Sequence, residues 1–242
     1  MVYVMSDIHG CYREFQLMLK KIKFSKEDEL YILGDVVDRG KEPLSTLLYI
    51  AEAENIHLLM GNHEAMMRDA LTKGDYNLWY RNGGGITDSQ FDMLSKDEQE
   101  ALLEYVSDLP LYKLVTVNNK NYYLAHSTFS KEDDDYYYSY KQKEDNVVWT
   151  REYEDYPYID KLYPKTYEKY KRYTLIAGHT PTIRLLKKEF INCNGPYKTH
   201  IYKKKHYINV DCGMAKNSDK DMIIRLGCLR LDDMKEFYIN KA

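Results

Sequence analysis

The sequence predicts an α/β fold, and two patterns along the chain support that prediction. Over the first 62 residues, short apolar runs alternate with longer stretches of helical periodicity. From residue 173 onward, further short apolar runs follow one another along the chain. A β-α-β-α-β order predicts parallel strands joined by right-handed crossovers, whereas consecutive strands predict a second, antiparallel half of the fold.

The strands and helices of the first part can be assigned in order. The runs VYVM, ELYILGD and IHLLMGN are short and apolar, and they predict three buried strands. Between them, CYREFQLMLKKI places apolar residues at helical spacing, namely Phe15, Leu17, Met18 and Ile22. The next segment, PLSTLLYIAEAE, opens with Pro43, which suits the first turn of a helix. After the third strand, HEAMMRDALTK is expected to be helical.

The middle of the chain predicts a further helix and a hairpin. Ser95 and Glu98 have the spacing of a capping box, so Ser95 is the predicted N-cap of a helix in SKDEQEALLEYVSDL. The runs LYKLVTV and NYYLAHS are joined by NNK. Two short strands separated by such turn residues predict a β-hairpin.

Residues 129–172 differ from the rest of the chain in composition. They are rich in Tyr, Glu, Asp and Lys and poor in aliphatic residues, which predicts a surface insertion with a partial helix near 157–171. After it, TLIAGHTP returns to a buried strand, and HYINVDCG, MIIRLGCLRLD and KEFYIN predict successive antiparallel strands. No repeat or linker interrupts the pattern, so a single domain over residues 1–242 is expected.

Composition and charge exclude several classes of protein. The formal net charge is -3, which gives no reason to expect a nucleic-acid partner. No apolar run approaches the length of a membrane span, and no signal peptide is apparent at the amino terminus. The four cysteines are scattered without a C-x-x-C pair, so we expect reduced thiols in a cytoplasmic protein. The oligomeric state is not indicated.

Three polar clusters follow the three predicted strands of the first part. Each combines side chains that can bind a cation or a phosphate, and each begins where an apolar run stops. The members are Asp7 and His9 in SDIHG, Asp35, Asp38 and Arg39 in GDVVDRG, and Asn62 and His63 in GNHE. Because the carboxyl ends of parallel strands meet at one edge of a sheet, all three clusters are expected at the same place.

The donor types in these clusters suit a pair of divalent metal ions. Carboxylate, amide and imidazole groups are ligands for manganese, iron or zinc. Asp35 can bridge two ions through its two oxygens, and His126 and His179, at the ends of later apolar runs, can complete the coordination of the second ion. Taken singly, each motif also fits an ordinary turn or a hydrogen-bonded histidine, but their joint order favours a metal site.

The three motifs together resemble the signature of the calcineurin-like metallophosphoesterases, and within them the phosphoprotein phosphatase (PPP) family. D-x-H-G, G-D-x-V-D-R-G and G-N-H-E all occur intact, and the sequence is most similar to compact bacterial and phage-type serine/threonine protein phosphatases. The resemblance is dense over the first third of the chain and sparse afterwards. It implies a four-layer α/β/β/α sandwich, with two mixed sheets flanked by helices.

The resemblance also implies which residues bind metal. The implied ligands form two sets that share one carboxylate. They are Asp7, His9 and Asp35 for the first ion, and Asp35, Asn62, His126 and His179 for the second. Manganese is the expected metal, with iron, zinc or magnesium as alternatives. His126 is followed by Ser-Thr, where family members commonly have a glycine soon after this histidine.

Further residues are implied to act on the substrate. Arg39 and Arg151 would clamp the phosphate, and His63, oriented by Asp38, would protonate the leaving group. A guanidinium suits the first task because it binds phosphate oxygens bidentately. The segment LWYRNGG also resembles bacterial and phage members of the family, and Asn82 within it is a candidate substrate-binding residue, although a simple glycine-rich turn explains the segment equally well.

These assignments predict a phosphatase that hydrolyses phosphomonoesters by in-line attack of a metal-bridging hydroxide. The expected substrate is phosphoserine or phosphothreonine in a protein, or a phosphorylated small molecule. The alternative is a symmetrical dinucleoside polyphosphate hydrolase, which acts on diadenosine tetraphosphate. Asp38 favours the first, because the tetraphosphatase group often has GDLVARG. The tyrosines between 136 and 173 keep the second open, since aromatic rings can stack nucleobases.

Overall fold

Two five-stranded β-sheets form the centre of the fold in a computed structural model, which describes residues 1–130, 140–151, 164–191 and 195–242. The strands are β1 (Val2–Met5), β2 (Glu29–Ile32), β3 (Ile56–Leu58), β4 (Tyr112–Val117), β5 (Lys120–Ala125), β6 (Tyr173–Ala177), β7 (Tyr197–Lys198), β8 (Tyr202–Lys203), β9 (Tyr207–Asn209), β10 (Met222–Ile223), β11 (Arg225–Arg230) and β12 (Lys235–Asn240). The helices are α1 (Tyr12–Ile22), α2 (Pro43–Glu52), α3 (Asn62–Lys73), α4 (Asn77–Arg81), α5 (Gly85–Phe91), α6 (Lys96–Ser107), α7 (Tyr140–Trp149), α8 (Pro164–Tyr170), α9 (Thr182–Leu185) and α10 (Lys187–Ile191).

The first sheet has the strand order β12-β11-β1-β2-β3. Its strands β1, β2 and β3 are parallel, which confirms the predicted β-α-β-α-β order. The prediction of successive antiparallel strands at the end of the chain is only partly correct. Strand β9 is parallel to β6 in the second sheet, whereas β11 and β12 form a hairpin that joins the first sheet beside β1. Apolar periodicity identifies a strand but does not specify its partner. One edge of β1 pairs with β2, and the other edge pairs with β11.

The second sheet has the order β4-β5-β6-β9-β8 and is mixed. Strands β4 and β5 form the predicted hairpin, whose turn residues Asn118 and Asn119 have φ angles of 49° and 60°. Two successive residues with positive φ are typical of a type I′ turn, for which asparagine is a favoured residue. Strands β5, β6 and β9 are parallel to one another, so their carboxyl ends also lie at a common edge.

An apolar cluster joins the two sheets face to face. Alternate residues of each strand enter it, since Val4 belongs to this cluster while Tyr3 and Met5 pack with the helices on the other side. The buried members of the cluster are Val4, Leu33, Leu59, Val117, Tyr122, Leu124, Ile176, Ile201, Ile208, Val210, Cys212, Leu229 and Leu231. The arrangement of two mixed sheets flanked by helices, predicted from the sequence, is confirmed.

The described parts of residues 129–172 contribute to the core. Val147 and Val148 of α7 are fully buried, and Glu144 on the same helix forms an ion pair with Arg68 of α3 at 2.8 Å. Tyr170 of α8 is also buried. The surface character expected for this segment therefore does not apply to the parts of α7 and α8 that carry Val147, Val148 and Tyr170. Residues 131–139 and 152–163, including much of the expected helix near 157–171, lie outside the described residues. The single-domain organisation remains a prediction.

Cysteine and membrane features complete the description of the fold. Cys11, Cys212 and Cys228 are buried free thiols, and Cys193 lies outside the described residues. Within the ranges that the structure describes, every helix is too short or too polar to cross a membrane.

Replacing Ile176 by alanine is expected to lower the free energy of unfolding by about 2–5 kcal/mol, because it leaves a cavity between the two sheets. Leu114→Ala, on an exposed position of the same sheet, is the matched control and is expected to cost less than about 1 kcal/mol. Urea unfolding monitored by circular dichroism measures both. Equal losses for the two variants would contradict the inter-sheet position of Ile176.

Candidate active site

The polar clusters lie on loops whose backbone has an uncommon conformation. Positive φ angles occur at Asp7 (53°), His9 (46°), Asp35 (57°), Asp38 (69°), Arg39 (67°) and His179 (64°). A left-handed backbone conformation costs free energy at residues other than glycine, and it persists only where the surrounding structure stabilises it. Hydrogen bonds between the loops after β1 and β2 do so here. The N–H groups of Asp7 and His9 donate to the carbonyls of Gly34 and Asp35, at 3.1 and 2.9 Å.

A buried carboxylate at the start of α3 holds the loop after β2. Glu64 has no exposed surface, and its oxygens accept hydrogen bonds from the N–H groups of Asp35 at 2.7 Å, Val36 at 2.8 Å, Val37 at 3.3 Å and Gly61 at 3.1 Å. Burial raises the pKa of Glu64 to about 7, and the donated N–H groups oppose that rise. Sequence analysis missed this residue, although it is the fourth letter of GNHE.

The close approach of the two loops requires glycine at position 61. A Cβ atom there would lie 2.5 Å from both the backbone nitrogen and the Oδ1 atom of Asp35. Gly61 thus allows the carboxyl ends of β2 and β3 to meet, and Asp35 Oδ1 accepts the N–H of His63 at 3.0 Å. The GDVVDRG and GNHE motifs, which are separate in the sequence, are therefore in direct contact.

One group of possible metal ligands lies around an oxygen of Asp35. Ligand atoms of His9, Asp35 and His63 all lie within 4.8 Å of one another, and His9 Nε2 is 3.7 Å from Asp35 Oδ2. His9 donates through Nδ1 to the carbonyl of Val37 at 3.1 Å, which directs its Nε2 lone pair towards the group. Asp7 lies beside it and accepts hydrogen bonds from the hydroxyl of Ser6 and from the N–H of His179.

A second group lies around the other oxygen of Asp35. Ligand atoms of Asp35, His126 and His179 lie within 4.8 Å of one another. His126 Nε2 is 3.4 Å from Asp35 Oδ1, 3.0 Å from Asn62 Oδ1 and 3.1 Å from His179 Nδ1. His126 Nδ1 donates to the carbonyl of Leu33 at 2.6 Å, so its Nε2 presents a lone pair. Asp35 therefore stands between the two groups, as expected for a bridging ligand.

These contacts fit divalent metal ions. The ionised carboxylate of Asp35 and the amide oxygen of Asn62 have no hydrogen to share with the lone pair of His126, and a cation among them would satisfy all three. Burial and the neighbouring carboxylates Asp7 and Glu64 raise the pKa of Asp35 well above its ordinary value. Burial also lowers the pKa of His126 and of His179, which keeps both imidazoles neutral, as metal ligation requires.

A buried pair of side chains stands behind the first group. His63 Nδ1 lies 2.5 Å from Asp38 Oδ2, and neither residue has exposed surface. Burial raises the pKa of Asp38 to about 7 and lowers the pKa of His63 well below its ordinary value. When Asp38 is ionised its carboxylate can only accept, so Nδ1 of His63 carries the hydrogen and Nε2 faces the cleft, 3.9 Å from Asp35 Oδ2. Nε2 of His63 has no hydrogen-bond partner among the described residues. Two further residues that sequence analysis missed, Trp79 and Thr87, donate to Asp38.

The arginines lie at the rim of the site. Arg39 donates through Nε to the carbonyl of Asn82 at 3.2 Å and through Nη1 to Nε2 of His9 at 2.9 Å. Arg151 donates through Nη1 to the carbonyl of His179 at 3.2 Å and to Thr180 Oγ1 at 3.0 Å. Both side chains are exposed and line the same cleft. The side-chain amide of Asn82 donates to Leu78, so this residue contacts Arg39 through its backbone.

A cleft of about 270 Å³ unites most of the predicted residues. Those that line it are Asp7, His9, Asp35, Arg39, Asn62, His63, Asn82, Arg151 and His179. Asp38 and His126 lie directly behind its wall, in contact with His63 and with Asp35. The cleft is also lined by Arg184, Lys216 and Asp211, for which the sequence offered no motif beyond the DCG turn.

A family model decides the relationship of this chain to known proteins. The model of the calcineurin-like phosphoesterases matches residues 1–214. The chain belongs to this family. It is therefore a metal-dependent phosphoric ester hydrolase, as the resemblance implied, and the two groups around Asp35 contain candidate metal ligands.

Curated relatives and solved structures agree with this membership. Serine/threonine-protein phosphatase 2 of Salmonella typhimurium is 40% identical over 154 residues, which is 62% of this chain and 68% of that protein. The symmetrical bis(5'-nucleosyl)-tetraphosphatase of Buchnera aphidicola is 46% identical over 65 residues, 26% of this chain and 24% of that protein. The crystal structure of a provisionally assigned diadenosine tetraphosphatase has a TM-score of 0.62 at 17% identity, covering 100% of this chain and 93% of that one. This last likeness concerns the fold.

Replacing Glu64 by glutamine is expected to weaken manganese binding by about 10-fold or more, because its amide N–H group would face backbone donors and release the loop that carries Asp35. Isothermal titration of the metal-stripped protein with manganese measures the affinity. Glu100→Gln, on the exposed face of α6, is the matched control. Unchanged manganese affinity in Glu64→Gln would show that the loop is held without this carboxylate.

Proposed function

We propose that the protein removes phosphate from phosphoserine or phosphothreonine in proteins. The observation that supports this substrate class is the buried Asp38–His63 pair beside the bridging carboxylate Asp35. The alkoxide released from serine or threonine is strongly basic and needs a proton as the P–O bond breaks. A phosphate group released from a polyphosphate is much less basic, so its departure depends less on a proton donor.

The metal ligands in this proposal come from the two groups around Asp35, joined by Asp7 and Asn62, whereas His63 is kept as the proton donor. Asp7, His9 and Asp35 would hold one divalent ion, and Asp35, Asn62, His126 and His179 would hold the other. Manganese is the proposed metal for both. Two such ions, when bound, supply electrostatic stabilisation of the phosphoryl oxygens and lower the pKa of the attacking water.

The residues of the chain perform the remaining tasks. Arg39 and Arg151 bind the non-bridging phosphate oxygens, each with two N–H groups, and Arg39 leaves its contact with His9 to do so. His63 carries a proton on Nε2 and donates it to the leaving oxygen as the P–O bond breaks. Asp38 accepts the Nδ1–H of His63, which orients the ring, and the ionised carboxylate favours the charged imidazole against burial and Arg39, which lower the pKa of His63.

The second candidate is hydrolysis of a dinucleoside tetraphosphate. The tetraphosphatase relatives match part of the chain, and Arg184 and Lys216 add positive charge to the cleft, where further phosphates of such a substrate would lie. The tyrosines between 136 and 173 that could stack its bases lie mostly outside the described residues. We retain the protein substrate because the Asp38–His63 pair can supply the proton that its leaving group needs.

A cytoplasmic location is also proposed.

A phosphothreonine peptide is expected to be a better substrate than diadenosine tetraphosphate, because the Asp38–His63 pair supplies the proton that a basic alkoxide leaving group needs. The two are compared by kcat/KM with the manganese-loaded protein. Chelation should abolish both activities and manganese should restore them. A large preference for the dinucleotide would replace the proposed substrate by the second candidate.

His63→Asn is expected to lower kcat on a phosphothreonine peptide by about 100-fold or more, because it removes the proton donor. Its bound manganese should stay the same as in the unmodified protein, measured by atomic absorption. His206→Asn, at an exposed position away from the cleft, is the control. Since His63 Nε2 lies within ligand distance of the first group, loss of one manganese from His63→Asn would instead make His63 a metal ligand.

A further inference from the structure

Residues 79–87, from the end of α4 into α5, lie against the loop that contains Asp38 and Arg39. Trp79 Nε1 lies 3.0 Å from both carboxylate oxygens of Asp38. Thr87 Oγ1 donates to Asp38 Oδ1 at 2.6 Å and accepts the backbone N–H of Asp38 at 3.0 Å. The carbonyl of Gly83 accepts the N–H of Arg39 at 3.3 Å. This segment, WYRNGGGIT, thus contacts two predicted catalytic residues from behind.

The orientation of the Asp38 carboxylate depends on these contacts. Asp38 has no exposed surface, and among the described residues it forms no ion pair with a lysine or arginine. The carboxylate accepts hydrogen bonds from two neutral donors, on Trp79 and Thr87. It accepts a third from His63, whose ring can be neutral or charged. Trp79 and Thr87 fix the plane of the carboxylate, so that Oδ2 points at His63 Nδ1. Without them, the carboxylate could rotate about its Cβ–Cγ bond and the imidazole would lose its orientation.

The indole of Trp79 is itself held firmly in place. It is fully buried, and a Cβ atom at Gly84 would lie 2.4 Å from its Cδ1 and Nε1 atoms. Only glycine permits the backbone to approach the ring this closely. The N–H of Gly84 also donates to the carbonyl of Trp79 at 3.0 Å, which closes the turn around the ring. Tryptophan, glycine and threonine therefore form one rigid support for Asp38.

We propose that Trp79 and Thr87 are positioning residues for the proton transfer from His63 to the leaving group. Neither residue lines the cleft, so neither touches the substrate. They act through Asp38, which holds the His63 ring so that Nε2 faces the leaving oxygen. This inference rests on the proposed function of His63, and it gives the glycine-rich segment a role in positioning the Asp38–His63 pair.

The test compares substrates that differ in their need for a proton donor. p-Nitrophenolate leaves readily without one, whereas phenolate, a stronger base, does not. Trp79→Phe and Thr87→Val are expected to lower kcat for phenyl phosphate by about 10-fold or more and kcat for p-nitrophenyl phosphate by less than about 3-fold. KM for both substrates and the manganese content should stay unchanged, because the phosphate and metal contacts are intact.

Three controls make the outcome specific. Thr87→Ser keeps the hydroxyl and should restore the activity of Thr87→Val on phenyl phosphate. Tyr80→Phe removes the hydrogen bond between Tyr80 and Asp88 in the same segment, and it should leave both activities unchanged. The double variant His63→Asn/Trp79→Phe should be no slower than His63→Asn, because the two residues serve one step.

The outcomes separate this inference from the proposed function. If His63→Asn slows both aryl phosphates equally, His63 is not the proton donor, and the inference fails together with the proposed role of His63. If His63→Asn is selective for phenyl phosphate while Trp79→Phe and Thr87→Val slow both substrates equally, the role of His63 stands and these two residues are only structural. Should Trp79→Phe not fold, the Thr87→Val and Thr87→Ser pair decides.

Discussion

The buried carboxylate of Glu64 is the interaction on which the rest of the site depends. It collects four backbone N–H groups, three from the loop after β2 and one from the residue before α3. These donors would otherwise be buried without acceptors, at a cost of about 1–3 kcal/mol each. By satisfying them together, Glu64 joins the carboxyl ends of two neighbouring strands. Asp35 and Asn62, one from each loop, can then face the same point.

The site concentrates features that oppose folding, and the surrounding structure offsets them. Six predicted site residues have left-handed backbone conformations, and several carboxylates and imidazoles are buried close together. Each of these features costs free energy in isolation. The hydrogen bonds between the loops after β1 and β2 hold the backbone, and the convergence of lone pairs around Asp35 suits cations. The same arrangement that is unfavourable for the protein alone is favourable for binding divalent metal.

The segment between α4 and α5 shows how a catalytic pair can be oriented without a charged partner. Asp38 is held by an indole N–H and a hydroxyl, both neutral donors from a turn that only glycine can form so tightly. Neutral donors fix the direction of a carboxylate and still leave its charge available to His63. An arginine in the same place would hold the carboxylate but would also compete with the imidazole for it. The carbonyls of the same turn accept hydrogen bonds from Arg39, so one segment positions both Asp38 and Arg39.

Local sequence determined much of this protein. The first three strands and two helices, the N-cap at Ser95, the β4–β5 hairpin and the family follow from short patterns, because each depends on neighbouring residues or on an intact motif. Convergence of the three motifs also follows, since parallel strands share an edge. Only the tertiary structure decided the partners of the later strands, as β11 and β12 return to the first sheet. It alone revealed Glu64, Trp79 and Thr87 as supports, because hydrogen bonds between residues 27 to 49 positions apart leave no periodic trace in a sequence.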